Sequence, residues 1–294
     1  MTATTPPAVP DAAGGGPRPR TSALSVAEAA AVRRLGLEPV GMVLGTIVLQ
    51  VVSSVAGSAG FGGGPSAMAG WGGGPAGGSY TSYPCVHMMG AAAEHWGFNA
   101  EDAGYASSVG SGFATAVARL VEEAKALGAH GVIGVRVDVG DLVGGWSTWT
   151  FRATGTAVAL PGSPVPSEPF TTNASGTHVE RLVAMGLAPA RLVTGVGACY
   201  VRPNCRTRGD LLAPGTIDQI PQAIDVARDR ARAAVREAAR HHGQGVVHTD
   251  WTDRRLPSWG EGWIQSAVAI GTAVRRFGPR QAPAAPRPVV PLRP

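Results

Sequence analysis

"ALGAHGVIGVRVD", residues 126–138, is the end of a helix running directly into a strand, and residues 241–253, "HHGQGVVHTDWTD", repeat much of that junction. The first occurrence closes with "TGTAV" from Thr154, the second with "IGTAV" from Ile270. A chain that states one supersecondary unit twice is expected to fold it twice.

Working outward, "LSVAEAAAVRRLGLEPVGMVLG" from Leu24 opens with a capping box. The Ser25 side chain can accept from the Glu28 amide while the Glu28 carboxylate reaches back to Ser25. Gly36 can end the short helix in the left-handed region, and Pro39 prevents its resumption. An apolar strand follows. The matching stretch is "ASGTHVERLVAMGLAPARLVTG" from Ala174, with Ser175, Gly186, Pro189 and Gly195 in step with Ser25, Gly36, Pro39 and Gly45. There the box is incomplete, because His178 stands in the place of Glu28.

Next in each copy comes an irregular connection and an amphipathic helix. Phe113, Val117, Leu120, Ala124 and Leu127 recur at steps of four and three, one apolar stripe. The corresponding stripe in the second copy is Ala227, Ala231, Ala234, Ala238 and His241. Two strands finish each unit. "VIGVRVDV" alternates Ile133, Val135, Val137 and Val139 against Gly134, Arg136 and Asp138. "WTFRATGTAV" places Trp149, Phe151, Ala153 and Ala157 opposite Thr150, Arg152, Thr154 and Thr156. In "IQSAVAIGTAV" the threonine-rich face becomes Ile264, Val268, Ile270 and Val274, so the two copies should face different neighbours.

The fold class expected is α+β: two tandem β-α-β-β repeats, each a small antiparallel sheet covered by one helix. So small a layer pair is marginal alone, and its other sheet face should seek a partner. The expected domains are a disordered tail over 1–21, a first repeat over 22–160 with a Gly-rich insert at 57–79, a linker over 161–169, a second repeat over 170–278 and a Pro-rich disordered tail over 279–294.

Here the residues carry a resemblance. "EEAKALGAHGVIGVRVDV" with "ATGTAV", then "REAARHHGQGVV" with "SWGEGWIQSAVAIGTAV", resemble the C-terminal half of the YbjQ-like family, described as "putative heavy-metal-binding" domains. "PVGMVLG" resembles that family's first strand, and the tandem arrangement is similar to its two-repeat members. The resemblance implies a dodecin-like fold, assembly as pentamer-like rings with the repeats as quasi-equivalent units, no established catalytic activity, and a divalent or soft heavy-metal ion as ligand. His248 in place of Gly134, and the Gly-rich insert, depart from the pattern.

For a metal, Cys85 and His87 in "YPCVHMMG" share one face of an extended strand, with His95 further on; thiolate plus imidazole suits zinc or a softer cation. The alternative is an unliganded loop cysteine. Cys199 and Cys205 in "CYVRPNC" form a second, weaker set, against a reading of Cys199 as a buried apolar residue at the position of Leu49. His241 and His242 diverge by about 100° on a helix and cannot chelate together; His241 reads as packed or capping, His242 as solvated. His248, Asp250 and Asp253 could form an acid–base or metal cluster, or simply a polar outer face ending in a turn.

The chain has 294 residues, a net charge of +5 and three cysteines. That charge permits weak anion attraction without the signature of a specific nucleic-acid binder. An odd cysteine count argues against a disulfide framework, and the N-terminus lacks the apolar core of a secretory signal. Val40–Ala56 is too short and too polar for a membrane span. Arg228, Arg232, Arg236 and Arg240 form a ridge offset by Asp225, Asp229 and Glu237. These features indicate a cytoplasmic protein, and the two small sheets that each need a partner, with what the family resemblance implies, lead to the expectation of a non-enzymatic oligomeric scaffold. The alternatives are a heavy-metal or redox sensor using the Cys and His residues, and an adaptor acting through the Pro-rich tail and arginine ridge.

Overall fold

The computed structural model describes residues 22–51, 98–141, 148–203, 207, 217–257 and 262–278. In chain order they form α1 (Val26–Arg34), β1 (Glu38–Gln50), β2 (Phe98–Glu101), α2 (Ala103–Ala126), β3 (Gly131–Asp141), β4 (Thr148–Ala159), β5 (Phe170–Thr171), α3 (Gly176–Ala184), β6 (Leu187–Arg202), α4 (Gln219–Arg240), β7 (Gly245–Pro257) and β8 (Trp263–Arg276). The protein is α+β with two four-stranded sheets, ordered β1-β4-β3-β5 and β2-β6-β8-β7.

The local signals act as their chemistry requires. Ser25 and Glu28 close a complete capping box on α1, and those hydrogen bonds from Ser25 hold the Glu28 carboxyl below its ordinary range. On α3, Ser175 accepts from the His178 amide while its hydroxyl meets the imidazole Nδ1 at 3.0 Å. Gly36 and Gly186 end α1 and α3 with φ of 77° and 73°. The following strands slip register between Pro39 and Gly41, and between Pro189 and Arg191, because proline offers no N–H to the ladder.

Helix α2 lies between the sheets. Its Ala116 and Leu120 backbone passes so close to Gly45 that an added Cβ would sit far inside contact of the Ala116 carbonyl oxygen. Val43, Phe151, Leu120 and Phe113 share one core with Leu192, Val196, Ile264 and Val268 of the other sheet. The Phe113 and Phe151 rings meet edge to face at 5.4 Å. Beside α2 the sheets are also tied directly: Arg254 donates to the Val139 carbonyl at 3.1 Å and lies over the Trp149 ring. Helix α4 covers the far face of the second sheet through Ala227, Ala231, Val235 and Ala239. The layers therefore run sheet, α2, sheet, α4. This explains the apolar face of β8: Ile264 and Val268 are buried in the α2 core, whereas Arg152 on β4 is exposed.

Three sequence expectations need correction. The first concerns Ile133, which does not share a face with Val135, Val137 and Val139. A bulge between Ile133 and Arg136, centred on Gly134 at φ 63°, sends Ile133 into a separate cluster with Val32, Val158, Ala174 and Val179. The corresponding bulge lies between Val247 and Asp250, with His248 at φ 51°. The second concerns the α4 stripe, which is Ala223, Ala227, Ala231, Val235 and Ala239; His241 is an exposed C-cap near Glu237. Ala231 meets Gly195 as Ala116 meets Gly45, an offset one residue longer than the strand alignment of Gly134 with His248 gives. The turn after α2 closes from the Ala129 amide to Ala124, that after α4 from Gly243 to Ala239, so the second turn is one residue tighter.

The third concerns the sheets, which are not purely antiparallel and self-contained. β5, arriving after residues 161–169, pairs parallel to β3, and β2, just ahead of α2, joins the edge of β6. Because α2 rests on the second sheet, its leading residues are delivered to that sheet's edge. α1 and α3 pack together, with Arg34 Nε and Glu180 at 2.6 Å.

Two outcomes follow for stability in urea. Gly195→Ala should cost about 2 kcal/mol or more, since backbone blocks the added methyl, whereas Gly140→Ala, with open space, should change little. His248→Gly should leave stability unchanged or raise it by about 1 kcal/mol by relieving a left-handed non-glycine residue; a clear loss would show that the His248 ring is a structural prop.

Candidate functional site

The most distinctive surface is the face of the first sheet turned away from α2. One end is closed by α1 and α3, which bury Ile133 and Val158, while the Ala23 amide donates to Thr156. The other end is open among the described residues. There β1 presents Met42, Leu44 and Val48 at 52%, 47% and 45% exposure. Arg136, Asp138 and Arg152 surround them, the last two 3.9 Å apart. In the second sheet, the matching positions on β6 are Leu192, Thr194 and Ala198; Leu192 and Ala198 lie buried in the α2 core. The outer edge of β1 is managed by α2 itself: Glu123 accepts from the Leu44 amide and Arg119 donates to the Thr46 carbonyl.

A second feature is a cleft of ≈ 700 Å³ between α2 and the start of β6. Val117, Val121, Phe170 and Leu192 supply its apolar wall; Lys125, Arg191, His242 and Arg275, with Glu122 and Glu168, supply charge. Glu168 pairs with Arg191 at 3.7 Å, and Arg275 donates to the His242 carbonyl. His242 is therefore half-buried, not solvated as expected, and burial, reinforced by Arg191, lowers its imidazole below the usual range.

Cys85, His87, His95 and Cys205 lie outside the described residues. Cys199 is fully buried on β6 beside Val201, Ala223 and Trp263. Burial pushes its thiol up to about 11, so it is protonated at neutral pH. Among the described residues, no three His, Cys, Asp or Glu side chains come together as a metal site. Within the first half, His130 accepts the Leu160 amide at Nδ1 and buries Nε2 without a partner. An orphaned imidazole nitrogen with no group of three such ligands among the described residues does not make a heavy-metal site. Asp250 is held by Asn173, and the charge of Arg136 helps lower Glu28.

On α4 the ridge is ion-paired, as the spacing predicts for Arg232–Asp229 and Arg240–Glu237. The sequence did not foretell Arg228 bonding to Asp253 on β7, or Arg232 stacking over Trp251. Both need the fold to bring β7 beside the helix. No helix among the described residues is long and apolar enough to cross a membrane.

Native Cys199 should resist alkylation at pH 8 and react once urea unfolds the chain; peptide mapping by mass spectrometry separates it from the other cysteines. Rapid native labelling would contradict its burial.

Comparison with known proteins adds three findings. Residues 95–161, spanning β2, α2, β3 and β4 but not β1, match the family described as "Putative heavy-metal-binding", the YbjQ-like domains. The chain is 31% identical over 171 residues to the "Encapsulin nanocompartment protein Rv1762c" of Mycobacterium tuberculosis, an alignment covering 55% of this chain and 64% of that relative. No solved structure matches the chain significantly. The chain therefore carries, at residues 95–161, a domain of the YbjQ-like family that its sequence resembles.

Proposed function

We propose that the protein is a non-enzymatic, cytoplasmic scaffold that acts as a homo-oligomer, built from two copies of one dodecin-like module. The observation carrying this reading is the open apolar end of the first sheet, whose counterpart in the second sheet is buried under a helix. Support for duplication comes from the paired cap serines, helix-ending glycines, proline register slips and strand bulges.

A ring of quasi-equivalent units would need α4 to serve the next copy as α2 serves the second sheet. With Ala116 equated to Ala231, the places of Phe113, Val117 and Val121 fall to Arg228, Arg232 and Arg236. Two of these arginines are already engaged with Asp253, Asp229 and Trp251. A charged face of this kind is a poor cover for Met42, Leu44 and Val48. Self-association is better served by two first sheets meeting face to face about a two-fold axis, where the same patch is self-complementary. Each half-exposed apolar side chain gains about 1 kcal/mol on full burial, doubled by symmetry. The relative named as an encapsulin nanocompartment protein is consistent with a life in assemblies.

Size-exclusion chromatography with light scattering should show an oligomer at micromolar concentration. Leu44→Glu, at an exposed site that the monomer tolerates, should dissociate it; a strict wild-type monomer would refute the proposal.

A further inference from the structure

We propose that His178 and His248 form a two-imidazole site for a divalent transition-metal cation such as Zn²⁺, at the joint between α3 and β7. The second half departs from the first at two notable positions in its short helix and bulge. His178 stands where α1 has Glu28, and His248 where β3 has Gly134. Seventy residues apart in sequence, these two departures meet in space, their ring centroids 5.0 Å apart and the planes tilted by 44°.

That spacing admits chelation by both rings. A zinc–imidazole bond of about 2.0–2.1 Å puts each ring centroid about 3.2 Å from the ion, and a tetrahedral angle then separates the two centroids by about 5 Å. The surroundings also prepare the ligands. The Nδ1 of His178 is engaged by the Ser175 hydroxyl at 3.0 Å, which leaves Nε2 as the nitrogen available to a cation. A hydrogen bond to the second ring nitrogen is how metal-ligating histidines are oriented and fixed in tautomer.

His248 occupies a left-handed backbone conformation at φ 51°, which a glycine fills without strain in the other half. The bulge is pinned by Asn173, whose Nδ2 donates to the His248 carbonyl at 2.7 Å and to Asp250 at 2.9 Å. One side chain thus holds both the strained residue and a neighbouring carboxylate in place. Both imidazoles are exposed, so a cation can enter. No third His, Cys, Asp or Glu converges among the described residues, and the remaining coordination positions fall to water.

The test uses the full chain, stripped of metal and titrated with Zn²⁺ by calorimetry, with Co²⁺ absorption as a second readout. His178→Glu and His248→Gly install the residues of the first half and preserve the helix cap and the bulge. Wild type should bind one equivalent more than either variant, and both variants should lose that same equivalent and its Co²⁺ band. Equal uptake by all three proteins, no uptake by wild type, or loss in only one variant would overturn the pairing.

Discussion

The structure depends on α2 being apolar on two sides. A small twisted sheet buries one face under its own helix and leaves the other in water, too little enclosed surface for a stable core. Here α2 presents Ala116, Leu120 and Ala124 to the first sheet while Phe113 and its neighbours join Leu192, Val196 and Val268 of the second. One helix completes two layers. The position of β2 at the edge of β6 follows from this, because the residues that lead into α2 are already against the second sheet. The Arg254–Val139 hydrogen bond closes the opposite side of the same sandwich.

Close approach makes this arrangement specific. Gly45 beneath Ala116, and Gly195 and Gly197 beneath Ala231 and Ala227, let helix backbone rest on strand backbone. Alanine on α4 buries little area per residue but lets the helix backbone lie close against the second sheet, at the outside of the stack. Its outer face can be arginine-rich because it meets solvent, and its arginines settle on Asp253 and Trp251 of the neighbouring strand.

Much of this was legible in the sequence, for identifiable reasons. Capping boxes, helix-ending glycines and strand periodicity are local signals, and they placed α1, α3, β1, β4 and β8 correctly. The polar-to-apolar change between β4 and β8 foretold unlike neighbours. The misreadings came where one residue changes the phase. Gly134 looked like one more outward position, yet its positive φ inserts a bulge and turns Ile133 to the other side. The tighter turn at Gly243 shifted the α4 stripe by one residue, since an alignment anchored on the strand carries its offset back through the turn. His178 was read only as a failed cap partner, because no local signal reports a contact with His248.

The asymmetry of the halves then has a single physical logic. Among the described residues, stacking two sheets through one helix makes unlike ends: a sheet face with Met42, Leu44 and Val48 half-exposed at one, a charged helix at the other. Unlike ends permit head-to-tail growth only if they are complementary, and guanidinium groups buried against Met42 and Leu44 would lose water and existing ion pairs without replacement. Two first-sheet faces would bring Met42, Leu44 and Val48 of β1 together across the axis, and the Arg152–Asp138 pair on the adjoining strands β4 and β3 would enter the interface already matched in charge. On the proposed self-association, the arginines that stand in α4 where α2 has Phe113, Val117 and Val121 would act as a terminator, leaving the first-sheet face as the surface for association among the described residues.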